Sequence, residues 1–296
     1  MDDADPAEAA ILVNGRRLRT ITSHRPPPSP TCILEAGLGA TADFWGWTQP
    51  ALAASASTLS YDRAGVVGSD AATPRFSEDA VDRALADLGG VIATLGPRSR
   101  RVLIGHSSGA LLVQAFAAAF PETVDALVLI DPTPADSRVL PPWMRHAFGP
   151  SASASRGLAW LADRGAFKDF NPFAGPVATL PPMAAARAAA AMIKGSHLRA
   201  MADELTWLSA LQARALAVAD HVVAPTLIIS AATWAKRGDL GRAILASHKS
   251  LAEKAPNNRG VAIDGADHMS LATVRAHAEA CVTQITRFVG DLANVP

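Results

Sequence analysis

The sequence predicts an α/β fold: a mostly parallel central sheet with helices on both faces, and a helical cap inserted into it. Three observations lead there. Short continuous apolar runs at 31–34, 102–104, 126–130 and 226–229 alternate with longer helix-like runs, as strands covered on both faces of a parallel sheet require. One run, Arg101-Val102-Leu103-Ile104, stops at Gly105-His106-Ser107-Ser108-Gly109 and passes at once into an Ala- and Leu-rich run ending at Phe120-Pro121. That reads as strand, tight turn, helix. Between 135 and 221 the strand-like runs cease, prolines come in pairs (Pro141-Pro142, Pro181-Pro182), and Ala-rich helical runs carry large apolar side chains.

Taken in order, residues 1–8 are expected to be disordered. Residues 10–21 read as a hairpin around Asn14-Gly15, the strongest short hairpin signal. Pro26-Pro27-Pro28-Ser29-Pro30 is a loop, and Thr31-Cys32-Ile33-Leu34 a buried strand ending at Glu35-Ala36-Gly37-Leu38-Gly39. One helix is expected from Asp43 through Ala53, then a strand over 57–61. Ser77 caps a helix that runs to about Leu95 and stops at Gly96-Pro97. The Gly-His-Ser-Ser-Gly strand and helix follow, then the strand over 125–130, which ends at Asp131-Pro132. After the cap, the strand near 226–230, a helix over 240–253 and a last strand over 259–263 return to the sheet. One closing helix is expected over 271–292. The core thus comprises 9–134 and 222–296, and the cap 135–221.

The chain has 296 residues, 49% of them hydrophobic, enough for one large core with an inserted subdomain. Lys plus Arg and Asp plus Glu both total 27. That balance offers nothing to nucleic acid or to an anionic membrane. Cys32 and Cys281 read as two buried free thiols. Met1-Asp2-Asp3-Ala4-Asp5 has no basic-then-apolar start, so a cytoplasmic protein is expected.

The pattern Gly105-x-Ser107-x-Gly109 has a mechanical meaning. Two glycines let strand and helix approach around the turn, and the serine at its apex projects its hydroxyl beside the free N–H groups of a helix start. On these residues the chain resembles the α/β-hydrolase fold superfamily of serine hydrolase and esterase type. Tyr61-Asp62-Arg63-Ala64-Gly65 through Ser69 is similar to a structural turn of that fold, and Asp62 and Arg63 are read as tying it down. Where relatives often carry His-Gly-x, this chain has Ala36-Gly37-Leu38.

A serine hydroxyl needs a base. His268, in a Gly-Ala-Asp-His turn after the final strand, resembles the histidine loop of the superfamily. The acid is read as Asp131, with Asp239 as the alternative; Asp267 lies too near His268 in sequence. The main-chain N–H groups of Leu38 and Ser108 are the expected oxyanion donors. Trp45, Trp143 of the cap and Met269 are candidate lining for an apolar pocket, with core packing the equal alternative for Trp45. The resemblance implies a carboxylic ester or lactone of a fairly apolar small molecule as substrate, and no cofactor or metal. Relatives with the same elbow include cofactor-free dioxygenases, lyases and haloperoxidases, so base-only chemistry is the alternative, and a non-catalytic binding protein a minor one.

Overall fold

The structure is a computed structural model, and it describes residues 6–71, 79–96 and 100–293. Among these, eight strands form one sheet: β1 (Ala7–Val13), β2 (Arg16–Ser23), β3 (Thr31–Glu35), β4 (Ser57–Tyr61), β5 (Arg101–His106), β6 (Ala126–Ile130), β7 (Thr226–Ala231) and β8 (Arg259–Ile263). Their order is β1-β2-β4-β3-β5-β6-β7-β8. The pairs from β4 to β8 are parallel; β1–β2 and β2–β4 are antiparallel. Asn14 (φ 48°) and Gly15 (φ 76°) both take positive φ, as the tight hairpin turn between β1 and β2 demands. β1 begins at Ala7, so Ala7 and Glu8 belong to the sheet and not to a disordered tail. Pairing along seven residue pairs carries the chain that far out.

The helices are α1 (Thr48–Ala53), α2 (Asp79–Ala93), α3 (Ser108–Ala119), α4 (Pro142–His146), α5 (Phe148–Asp163), α6 (Pro182–Met192), α7 (Gly195–Val218), α8 (Gly238–Glu253), α9 (Ser270–Thr273) and α10 (Arg275–Ala293). Ser77 and Pro97, the expected start and stop signals of α2, lie outside the described residues. Two expected helices are broken. The one from Asp43 to Ala53 is a 3₁₀ turn, Ala42–Trp45, followed by α1. The closing helix is split by Val274, which is extended at φ −101°, ψ 123°. Hydrophobic periodicity alone does not register breaks of one or two residues.

β5 explains how the core is organised. Val102 and Ile104 pack on one face with Val128, Ile130, Leu52 and Phe288; Leu103 packs on the other with Leu127, Leu129, Leu88 and Phe116. Each such burial stabilises by about 1.5–3 kcal/mol, so a one-residue slip, which would exchange the two faces, is strongly disfavoured. Cys32 and Cys281 are free and buried, and burial pushes both thiols up to about 12.

Residues 135–221 hold α4 to α7 and no strand, and all of them are described. Within α7, Leu208, Leu211 and Ala215 join the sheet's own core. At the other side Gly46 meets α6 closely: a Cβ there would stand 2.9 Å from both Ala184 Cβ and Pro181 Cδ.

Candidate active site

The turn after β5 is built around two close approaches. A Cβ on Gly105 would lie 2.6 Å from Gly109 O and Ala110 Cα, and one on Gly109 would lie 2.5 Å from both Glu35 O and Ala36 O. No larger residue fits either position without backbone movement. Between them Ser107 takes φ 55°, ψ −120°, a conformation that is costly for a residue with a side chain. It is over-determined by main-chain bonds: Ser107 N–H donates to Ile130 O at 3.0 Å, and Ser107 O accepts from Thr133 N–H at 3.1 Å.

The strained bend aims the hydroxyl at a histidine. Ser107 Oγ lies 3.0 Å from His268 Nε2, and His268 Nδ1 lies 2.6 Å from Asp131 Oδ2. A carboxylate can only accept, so Nδ1 carries the proton and bare Nε2 faces the hydroxyl. The three residues come from the ends of β5, β6 and β8. Asp131 is 2% exposed. Burial alone would raise its pKa. The hydrogen bond and charge of His268 outweigh that, aided by the Ala231 N–H at 2.9 Å and by nearby His248, and hold the carboxyl at about 2. Trp234 Nε1–H completes the cage, donating to Oδ2 at 2.8 Å.

Asp239, the alternative acid, is on α8, with its side chain exposed and bonded to Arg242. Asp267 caps α9 instead: its Oδ1 accepts from Met269 N–H at 3.0 Å and Ser270 N–H at 2.9 Å. His106 is buried beneath the site, tilted against Phe44 and His268. Burial and then the neighbouring His268 lower its pKa to about 3, so it is neutral. Its Nε2–H donates to His268 O at 2.9 Å, which anchors the histidine loop.

The loop after β3 lies against this turn: a Cβ on Gly37 would stand 3.2 Å from Ser107 Cβ. The Leu38 N–H has no hydrogen-bond partner among the described residues. Ser108 opens α3, so its N–H belongs to the first turn, where no intrahelical acceptor exists. Of the expected pocket residues, Trp45 is 0% exposed and packs edge-on against Phe44. It is a core residue, not pocket lining: it belongs to the buried cluster that holds Leu34, Ile104 and Leu271. Trp143 is 67% exposed on α4. Met269 is partly buried beside His268.

Sequence reasoning passed over Trp234 and Thr133 as contributors and misjudged the reach of Arg63. Trp234 follows β7, and its signal was the indole N–H, a donor suited to a carboxylate. Thr133 Oγ1 lies 3.3 Å from Ser107 Oγ. Arg63 holds its own turn only through its carbonyl, which accepts from Val66 N–H at 2.9 Å; its side chain reaches the carbonyls of Ala36 and Gly37. Among the described residues no group of three or more His, Cys, Asp or Glu is arranged to hold a metal ion, and no helix is long and apolar enough to cross a membrane.

Comparison with known proteins agrees with this fold. The model of the alpha/beta hydrolase family matches residues 32–283. A protein of Klebsiella pneumoniae (strain 342) named as a carbamate hydrolase, RutD, is 31% identical over 210 residues, covering 70% of this chain and 74% of its own. Among solved structures, the enol-lactonase from Burkholderia xenovorans LB400 superposes with a TM-score of 0.69 at 22% identity, over 95% of this chain and 100% of that one. The Cif epoxide hydrolase from Acinetobacter nosocomialis gives 0.73 at 13% identity, over 96% and 89%. At such identities the two structures speak for the fold alone.

Proposed function

The chain belongs to the alpha/beta hydrolase family, and from that premise we propose that it is a serine hydrolase opening a carboxylic ester or lactone of a fairly apolar small molecule. One observation carries the reading: the continuous line Ser107 Oγ, His268, Asp131, with separations of 3.0 and 2.6 Å. His268 Nε2 takes the hydroxyl proton as Oγ attacks the carbonyl carbon, and the carbonyl electron pair moves onto its oxygen. The N–H groups of Leu38 and Ser108 receive that oxyanion. Collapse expels the alcohol, which takes its proton from His268. Water, deprotonated in turn by His268, then releases the acid from the acyl-enzyme.

Asp131 fixes the histidine tautomer and stabilises the imidazolium. A serine at the elbow leaves no carboxylate there to open an epoxide, so the likeness to an epoxide hydrolase is one of fold. The relatives named for carbamate hydrolysis favour a carbamate as the second reading, since its carbonyl accepts the same attack. The two unpaired cysteines fit the cytoplasm as the compartment.

A fluorophosphonate label followed by peptide mapping, beside a panel of acyl esters, lactones and carbamates, tests the proposal. Labelling at Ser107 is expected, with turnover lost in Ser107→Ala. Normal turnover by Ser107→Ala would replace the acyl-enzyme with chemistry in which His268 acts on the substrate directly.

A further inference from the structure

The loop that carries Leu38 is held by a buried cluster of charge. Arg63 donates to Glu35 Oε1 at 2.5 Å, and to Glu204 through Nε at 2.7 Å and Nη2 at 2.8 Å. It also donates to Ala36 O and Gly37 O, each at 2.7 Å. Tyr61 O–H donates to the other oxygen of Glu35. Glu204 sits on α7, and its Oε2 also accepts the Gly39 N–H at 2.7 Å. The side chains of Arg63, Glu35 and Glu204 are 10, 0 and 8% exposed.

A buried ion pair is poor evidence of stability, because desolvation of its charges offsets most of their attraction. The geometry of this one does something more specific. Gly37 O accepts from Arg63 and from Ala40 N–H at 3.1 Å. The Gly37–Leu38 peptide is trans, so the Leu38 N–H must point opposite to that carbonyl, away from Arg63. Gly39, at φ 64°, supplies the positive-φ position of the turn, and Met201 of α7 closes on it: a Cβ there would stand 2.8 Å from Met201 Cγ. Arg63 and the Ala40 N–H thus hold the Gly37 carbonyl and Glu204 holds the Gly39 N–H, while the Leu38 N–H between them has no partner among the described residues.

We propose that Arg63 and Glu204 are positioning residues that aim the Leu38 N–H at the oxyanion, so that the seating of α7 of the cap sets the strength of the oxyanion hole. The inference rests on the serine-hydrolase reading. Neither side chain touches the reacting atoms; both act through the peptide plane between Gly37 and Leu38. A tilt of that plane leaves substrate binding intact and weakens only the bond that strengthens as charge develops.

The test uses the full chain with Arg63→Lys, which keeps the charge but not the fork, and Glu204→Gln, which keeps the shape but not the charge. Circular dichroism and thermal melting establish that each is folded, and fluorophosphonate titration counts competent sites. Per titrated site, kcat on the best ester of the parent should fall by about 100-fold for Arg63→Lys and about tenfold for Glu204→Gln, with KM within about threefold. Affinity for an alkyl boronic acid, whose adduct places an oxygen in the oxyanion position, should fall by the same factors. A merely structural role would lower the melting point and the titrated fraction while leaving kcat per site and boronate affinity unchanged, and that result overturns the inference. So does parent-like behaviour of either folded variant while the parent is labelled at Ser107. A parent that neither labels nor turns over any substrate refutes the hydrolase reading itself, and this inference with it.

Discussion

Trp234 Nε1 donates at 2.8 Å to the same carboxylate oxygen of Asp131 that His268 Nδ1 meets at 2.6 Å. The carboxylate therefore has a fixed orientation before any substrate arrives. His268 gains a partner whose position does not depend on its own protonation state.

Replacing the acid should be severe and selective. Asp131→Asn offers His268 Nδ1 the wrong tautomeric partner, and kcat should fall by about 10,000-fold. Asp239→Asn removes only an exposed pair with Arg242 and should leave kcat within about twofold. Steady-state kinetics of the two beside the parent decides the matter; a severe loss in Asp239→Asn would reassign the acid.

Trp234→Phe keeps the ring and removes the indole donor. A hydrogen bond to a charged group contributes about 1.5–3 kcal/mol, so kcat/KM should fall by roughly 10- to 100-fold. The protein should also be less stable in urea. Unchanged kinetics would mean that Ala231 N–H and His268 orient Asp131 unaided.

Acid should destabilise the fold through Asp131. Its carboxyl sits at about 2 in the folded protein against an ordinary 3.8. A depressed acid contributes its full stabilisation above the unfolded value, and loses it as pH falls from about 4 towards 2. The shift corresponds to about 2 kcal/mol. Urea midpoints of the parent and Asp131→Asn between pH 6 and 2 should converge across that window; a constant difference would refute the assignment.

Gly109→Ala places a methyl 2.5 Å from two backbone oxygens, Glu35 O and Ala36 O. Neither is a flexible end that can move aside. The variant should lose about 1–3 kcal/mol or more, read as a lower urea midpoint. A midpoint equal to that of the parent would show that strand and helix can separate at no cost.

Much of this was legible in the residues. Alternating apolar runs gave the strands, and Gly105-x-Ser107-x-Gly109 located the bend, because local sterics leave few residues able to make it. His268 was legible from its place after the last strand. What escaped was set by tertiary contact. Trp45 reads equally as pocket lining or as core, and only the fold decides, burying it completely. Arg63 reads as the anchor of its own turn, yet its guanidinium crosses to β3 and α7, 141 residues away at Glu204. No period or motif encodes a contact of that span.

In the sheet order of the described residues, β6 and β7 lie between β5, which ends one residue before the serine, and β8, which leads to the histidine. Strands stand about 5 Å apart, so a carboxylate at the tip of either inner strand occupies the gap under the imidazole. Asp131 fills the place on β6, and Trp234 fills the region beyond β7. From there Trp234 already reaches the Asp131 carboxylate, donating to Oδ2 at 2.8 Å. A chain disabled by Asp131→Asn therefore has a built-in route to recovery: a second-site change to Asp in the segment 232–234, one strand over, is where a selection for revertants should land.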